Sequence, residues 1–497
     1  MMRLLAQRDT AFVIALLAIA TPTRAQNRPL SAADSALIGR ILVAEDRRDS
    51  TDRALVEGAR HTDARVRTIA LRARGRISDP AFAHRDSLPA LPAPVAWPEP
   101  AWRLRLRALT AQRNDCGALR AALADSAWPV RLRAADLATA TCASDDSLIT
   151  VLQSWIDALP ADASRRNAGT VSWHAAAHAV VALARVRPPA ARSRLSKLAS
   201  HRQWQARMYA ARAAAVLADT STLRALARDT TDGVREAAID ALGKLTGHAD
   251  DEIFVAALSA NGAQVVRAAA LALRDSSRAN AQAPAIAAKD APRANVRAAA
   301  SAAFDRWVAR QNASARDARV ALLAAAGRPA SDDRPPAIRV ELPPDAIALA
   351  LGSERRLRVT LSPSSGGGSF VVRLRGDVAP MMAARILALA RRGYYNGLTW
   401  HRVEHDFVIQ GGSPGANEYV GFEQFLRDEL GTVPHLRGSV GMSTRGHDTG
   451  DAQWFVNLRD NLRLNRDYTI FGEVVEGIEV VDGVLEGDVI ASIVEMR

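Results

Sequence analysis

Polar side chains near residue 400 could hold a peptide group against an apolar surface. Arg402 follows Trp400, and Gln410 closes an apolar run that begins at Phe407 and stops at Gly411. Arg presents a planar fork of donors, whereas the Gln amide offers both a donor and an acceptor. On a strand with apolar neighbours, such groups can hydrogen-bond a peptide group while the apolar side chains pack against a small ring.

Three further blocks follow in the same part of the chain. They are Gly438–Ser443, Gln453–Asn457 and Phe471–Gly477. In this order and at these spacings, they and the block around Arg402 resemble the cyclophilin-type peptidyl-prolyl cis–trans isomerases. The resemblance covers about the last quarter of the chain. It implies an antiparallel β-barrel with flanking helices, and an enzyme that uses no cofactor and no metal.

The resemblance also implies roles for individual residues. Arg402 would be the catalytic donor to the prolyl amide, and Gln410 would steady both Arg402 and the substrate backbone. Substrate-binding positions are implied at Phe407, Val408, Ser443, Thr444, Phe455, Leu464 and Tyr468. Phe407, Phe455 and Leu464 would form the proline pocket.

Several of these positions depart from the family pattern. Val408 stands where the family usually has Met, Thr444 where many members have Asn, and Tyr468 where many have His. Arg463 stands where many have Trp. We expect the departures to leave the pocket intact, but to change its rim, its substrate preference and its binding of cyclosporin-type inhibitors.

Prolyl isomerisation suits such a site because it needs little covalent chemistry. Rotation crosses a barrier of about 18–20 kcal/mol, set by amide resonance. A donor to the proline nitrogen weakens that resonance, and each 1.36 kcal/mol of differential stabilisation gives a factor of about ten in rate. No nucleophile is required.

A long helical pattern precedes this module. Between residues 31 and 328 an apolar-Arg step recurs, at Arg67, Arg103, Arg131, Arg207, Arg235, Arg267 and Arg297. The later spacings, 28, 32 and 30 residues, fit two short helices per unit. The pattern resembles HEAT-like repeats, in which stacked helix pairs bury their apolar stripes jointly. The recurrent Arg is expected to pair with carboxylates or carbonyls of the adjacent unit; a ligand-binding Arg ladder is the alternative.

These patterns predict a multidomain protein. An all-α HEAT-like solenoid is expected over 26–328, a Pro-rich linker over 329–354 and the cyclophilin-like module over 355–497. Residues 1–25 read as a secretory signal, because a positive start precedes a short apolar run and small residues before Gln26. The mature protein is therefore expected to be exported, to the periplasm or the medium, without a membrane span.

Cys116 and Cys142 are the two cysteines of the chain. In an oxidising compartment they could form a disulfide between neighbouring repeats, with about 3 kcal/mol of stabilisation on the chain-entropy model. Two separately buried thiols are the alternative. Without a paired His they cannot make a structural zinc site.

Charge is distributed unevenly along the chain. Phe370–Arg497 holds 13 Arg, no Lys and 18 acidic residues, which is a net charge of −5. Because the whole chain has a net charge of +12, the residues before Phe370 carry a net charge of +17. The basic residues of the N-terminal region recur at a structural period and are not clustered with base-reading groups, which argues against nucleic acid as a partner.

The leading hypothesis is therefore a prolyl isomerase that assists folding of exported proteins. Its solenoid would bind proline-containing polypeptide clients or dock a protein partner. One alternative is a non-catalytic scaffold whose module only binds proline-containing segments. Another makes the solenoid the principal functional part and the isomerase auxiliary.

Overall fold

The computed structural model describes residues 29–78, 95–274, 294–333 and 342–496. The predicted signal at 1–25 lies outside them. The described residues between 29 and 333, here called the helical region, are mostly helical. The helices are α1 (Ala32–Arg47), α2 (Arg53–Ala59), α3 (Ala64–Ser78), α4 (Ala101–Ala111), α5 (Cys116–Ala122), α6 (Trp128–Leu137), α7 (Asp146–Asp157), α8 (His174–Val186), α9 (Pro188–Ala199), α10 (Trp204–Leu217), α11 (Thr220–Leu226), α12 (Asp232–Thr246), α13 (Asp251–Ala257), α14 (Ala263–Leu273), α15 (Ala294–Ala309) and α16 (Arg316–Ala326).

From α5 onward the helices are arranged in successive pairs. The second helices of these pairs, α6, α8, α10, α12, α14 and α16, contact one another in a row. Their buried faces are rich in Ala, whose small side chain lets helix axes approach closely. Each pair therefore buries its apolar stripe against its neighbours.

Three of the recurrent Arg residues, Arg67, Arg131 and Arg207, lie in the first turn of a helix and bind the loop before that helix. Arg67 and Arg207 donate to the carbonyl oxygens of His61 (2.6 Å) and His201 (2.7 Å), six residues earlier, and Arg131 donates to that of Asp125. The expected pairing with the adjacent unit is therefore wrong for Arg67 and Arg131, which bind the carbonyls of their own connecting loops. It is confirmed for Arg207, which also donates to both carboxylate oxygens of Asp229 in the following unit.

Helices α1–α3 belong to a different core from the rest. Their buried side chains, such as Ile38 and Ile69, cluster with those of the C-terminal sheet, whereas α4–α16 form a separate cluster. The predicted boundary at 328 thus separates residues that share one core. Within the predicted linker, α17 (Ala346–Ala350) also joins the core of the sheet through Ala346 and Leu349. Residues 334–341 lie outside the described residues.

Cys116 and Cys142 form a disulfide, with their Cα atoms 5.5 Å apart. It joins the start of α5 to a turn before α7. Cys142 is 1% exposed and packs in the core of α4–α16. Of the two alternatives for these cysteines, the bonded one is observed.

We expect reduction of this disulfide to destabilise the helical region. The Cys116→Ser/Cys142→Ser variant should lose about 3 kcal/mol of unfolding free energy, because the open chain regains the entropy of a loop of 26 residues. Urea unfolding with and without dithiothreitol measures this. In the double variant dithiothreitol should have no further effect; an equal response of both proteins would contradict the prediction.

The C-terminal region is a curled antiparallel sheet with flanking helices. Its strands are β1 (Arg356–Leu361), β2 (Ser369–Leu374), β3 (Thr399–Val403), β4 (Val408–Ser413), β5 (Ser439–Met442), β6 (Trp454–Asn457), β7 (Ile470–Glu476) and β8 (Ile490–Met496), and its helices are α18 (Pro380–Arg391) and α19 (Ile478–Asp482). The spatial order is β3-β4-β6-β5-β7-β2-β1-β8. We call this unit the half-barrel.

The two outer strands of the half-barrel meet at one end. The Trp400 amide donates to the Asp488 carbonyl (2.9 Å), and the Ile490 amide donates to the Leu398 carbonyl (2.8 Å). The interior is filled by large apolar side chains, among them Trp400 and Phe370. The Ser- and Gly-rich run at 364–368, between two strand-like segments, predicts the hairpin β1–β2, and Pro380 predicts the start of a helix. Both predictions are confirmed.

Buried arginines connect the helical region to the half-barrel. Arg103 donates to the His405 and Leu458 carbonyls and to Asp482, each at 2.8 Å. Arg166 donates through Nε to Asp488 Oδ1 at 2.9 Å. Both guanidinium groups are almost fully buried. The two regions are therefore packed against each other through desolvated polar contacts.

No helix in the described part of the chain is both long and apolar enough to cross a membrane.

Candidate active site

Three neighbouring strands bring Arg402, Gln410 and Phe455 into one row. Arg402 on β3 pairs with Gln410 on β4, which pairs in turn with Phe455 on β6. Directly opposed residues of neighbouring strands project on the same face of a sheet. The row lines a cavity of about 220 Å³, which we call the Arg402 cavity.

Apolar side chains form the floor of the Arg402 cavity. Val408, Phe455 and Leu464 are 2%, 4% and 7% exposed and pack together, with Phe407 and Tyr468 against them. Gly441 lies opposite Phe455 on β5, where a Cβ atom would clash with the Phe455 ring. Glycine at this position therefore lets the ring lie flat in the cavity wall.

Hydrogen bonds fix the orientation of the Gln410 amide. Its Nε2 donates to Ser443 Oγ (2.9 Å) and to Gln453 Oε1 (3.1 Å). Both of its N–H groups are thereby used, so that Oε1 is left to accept from Arg402 Nη1 at 3.2 Å. Gln453 is itself held, because its Nε2 donates to the Val420 carbonyl at 2.8 Å. The network aims one edge of the guanidinium along the cavity wall.

Carboxylates hold the other edge of Arg402. Its Nε donates to Glu404 Oε1 at 2.9 Å, Nη2 bonds the same oxygen, and Glu418 Oε1 lies 3.7 Å from Nε. The Arg402 side chain is 36% exposed, and its Cζ lies 5.8 Å from the Phe407 ring centroid. The guanidinium thus stays at the mouth of the cavity, over the apolar floor.

His401 and His435, near the cavity, are uncharged at neutral pH. Burial lowers the pKa of His401 and of His435 to about 4 in each case. The His435 ring stacks on Phe455, with centroids 5.9 Å apart. These rings therefore serve as packing groups, and the positive charge at the cavity comes from Arg side chains.

All nine residues predicted for the site line the Arg402 cavity. They are Arg402, Phe407, Val408, Gln410, Ser443, Thr444, Phe455, Leu464 and Tyr468. Arg463, at the expected rim position, places its guanidinium over the Phe407 ring at 4.3 Å. The roles of these residues stay predictions.

Three further lining residues were not predicted: Glu418, Arg445 and Gln453. One of them carried a signal in the sequence. Gln453 lies two positions before Phe455, which is the spacing of one strand face. Glu418 and Arg445 lie on loops, where no periodicity relates sequence position to direction.

Comparison with known proteins identifies the half-barrel. Residues 358–493 match the family model described as "Cyclophilin type peptidyl-prolyl cis-trans isomerase/CLD". A peptidyl-prolyl cis–trans isomerase of Helicobacter pylori (strain J99) is 37% identical over 131 residues, which are 26% of this chain and 81% of that protein. The chain belongs to the cyclophilin-type peptidyl-prolyl cis–trans isomerases. It is thus an enzyme of this class, and cyclophilin-type domains bind proline-containing peptides.

Other members of the cyclophilin family match the same segment. Peptidyl-prolyl cis–trans isomerase B of Bacillus subtilis (strain 168) is 34% identical over 129 residues, 26% of this chain and 90% of that protein. The crystal structure of a cyclophilin-type isomerase of Cryptosporidium parvum is 23% identical, with a TM-score of 0.27, and the match covers 29% of this chain and 98% of that one.

Proposed function

We propose that Arg402 is the catalytic group of this isomerase. A proline ring bound on Phe455 and Leu464 places its nitrogen beneath the mouth of the Arg402 cavity. As the bond rotates, the nitrogen lone pair leaves conjugation and becomes an acceptor. An N–H of Arg402 then donates to it, and this hydrogen bond is stronger in the transition state than in the planar amide.

Gln410 acts as a positioning residue in this proposal. Its amide is locked by Ser443 and Gln453, and it accepts from Arg402. The guanidinium therefore does not have to be ordered when the substrate binds, which lowers the reorganisation needed during rotation. The observation that supports the mechanism best is the open cavity bounded on one wall by the row Arg402–Gln410–Phe455.

The biological role that we propose is assistance in folding exported proteins. The N-terminal pattern is that of a secretory signal, and a disulfide joins Cys116 and Cys142, as is usual outside the cytoplasm. The helical region would be a HEAT-like solenoid that helps to bind the client polypeptide. Its helices support this role because they line cavities that open beside Arg402.

Catalysed refolding tests this role. The substrate is an unfolded protein whose refolding is limited by isomerisation of a prolyl bond. We expect its kcat/KM to exceed that of a proline tetrapeptide by about tenfold or more, since contacts with the helical region that contribute about 1.4 kcal/mol give that factor. Stopped-flow fluorescence measures the slow refolding phase, and the tetrapeptide is the reference. Equal values for the two substrates would remove the client-binding role of the helical region.

A further inference from the structure

A second cavity opens on the other side of Arg402. It has a volume of about 590 Å³ and lies between helices α10 and α12 and the loop 416–419 of the half-barrel. We call it the α10–α12 cleft. Arg402 and Glu418 line both this cleft and the Arg402 cavity. A chain bound at Arg402 can therefore continue directly into the cleft.

The helical wall of the cleft is partly apolar and carries charges of both signs. From α12 it presents Glu236, Ala237, Asp240 and Ala241, which share one helix face. Its basic residues are Arg212 on α10 and Lys244 on α12. A mixed lining of this volume is of the size that holds a short peptide segment, with polar groups that select among side chains.

Glu236 is a mostly buried carboxylate whose one salt bridge among the described residues is at the distance limit. Its side chain is 16% exposed, and within the described residues its salt bridge is a long one, 4.0 Å from Arg267 Nη1. The Arg267 guanidinium lies over the Tyr419 ring instead, at 3.6 Å, and Asn417 Nδ2 lies 3.4 Å from Glu236. Burial raises the pKa of Glu236 to about 7. A cation entering the cleft would compensate this desolvated charge.

Among the described residues, the cationic side chains that line the cleft do not form a salt bridge with Glu236. Lys244 is 3.7 Å from Asp240, its side chain is 74% exposed, and it extends into solvent. The Arg212 guanidinium lies over the Tyr209 ring at 4.3 Å. Arg402 is held by Glu404 and Gln410. These cations are engaged elsewhere and leave Glu236 available.

We propose that the α10–α12 cleft binds the segment of the polypeptide substrate next to the isomerised proline, and that Glu236 selects an Arg or Lys side chain in that segment. This inference rests on the proposed function, since it takes a polypeptide held at Arg402 as the substrate. It assigns a substrate class, proline with a nearby basic residue, to this isomerase.

A peptide series tests the selection. In ten-residue peptides with one proline, Arg replaces norleucine at each flanking position in turn. With Arg at one particular distance from the proline we expect kcat/KM to rise about tenfold, because a hydrogen bond between charged groups stabilises the bound state by enough to give that factor. The Glu236→Gln variant should lose this preference. Absence of any preferred distance, or its persistence in Glu236→Gln, would overturn the proposal.

Obstruction of the cleft is the second test. Ala237→Trp should lower the ratio of kcat/KM for the preferred ten-residue peptide to that for a proline tetrapeptide by about tenfold. Leu245→Trp, at an exposed position of the same helix outside the cleft lining, is the matched control and should leave the ratio unaltered. An unaltered ratio in Ala237→Trp would overturn the proposal. Tetrapeptide turnover reports the isomerase itself, so that its loss would identify a failure of the proposed function instead.

Discussion

Replacement of Arg402 by Ala is expected to lower kcat/KM for a proline tetrapeptide by a factor of about 10²–10³, which is the usual effect of removing one donor that meets developing charge. Arg402 contacts Gln410 and Glu404 and lies over the Phe407 ring at the mouth of the Arg402 cavity. In the proposed mechanism, its hydrogen bond to the proline nitrogen forms only as the amide twists. The loss should therefore fall mainly on kcat, with KM changed much less.

The matched control for Arg402→Ala is Arg459→Ala. Arg459 pairs with Asp406 at 3.0 Å, is 40% exposed and does not line the Arg402 cavity. Exchange spectroscopy by NMR on a short Xaa-Pro peptide measures both rates at equilibrium. If Arg402→Ala and Arg459→Ala retained the same activity as the unaltered protein, Arg402 would not be the catalytic group.

Replacement of Arg166 by Ala should cost about 3–5 kcal/mol of stability in the half-barrel, since it leaves a buried carboxylate unpaired. Arg166 Nε donates to Asp488 Oδ1 at 2.9 Å, and its Nη2 bonds the other oxygen. The two side chains are 4% and 3% exposed, and burial raises the pKa of Asp488. Asp488 also accepts from the Leu485 amide at 2.7 Å, which cannot replace a cation.

Hydrogen exchange of amides in 478–496 measures this loss as a change in their opening free energy. Arg165→Ala removes the neighbouring exposed Arg and should have little effect. Asp488→Ala in the Arg166→Ala background should restore part of the stability, because no unpaired charge then remains. Equal protection in Arg165→Ala and Arg166→Ala would show that the buried pair does not hold the half-barrel.

Local sequence patterns, and the order of the four cyclophilin-like segments near the C-terminal end of the chain, were enough to predict much of the fold and of the candidate site. The β1–β2 hairpin, the helix from Pro380 and the grouping of the nine predicted residues around one cavity follow from turn chemistry, from strand periodicity and from spacing within a known family. Such features depend on residues close in sequence, or on an order of blocks that is visible along the chain. The helix pairs were predictable for the same reason, because each unit has its own apolar period.

The sequence by itself therefore determined many of the elements, the residues that line the Arg402 cavity and the enzyme class. Tertiary structure alone decided that α1–α3 share the core of the half-barrel, that Arg166 reaches Asp488, and that α12 faces Arg402. These contacts join residues up to several hundred positions apart. Their side chains carry no local signature, since an Arg that will be buried at an interface has the same helical spacing as one that faces water.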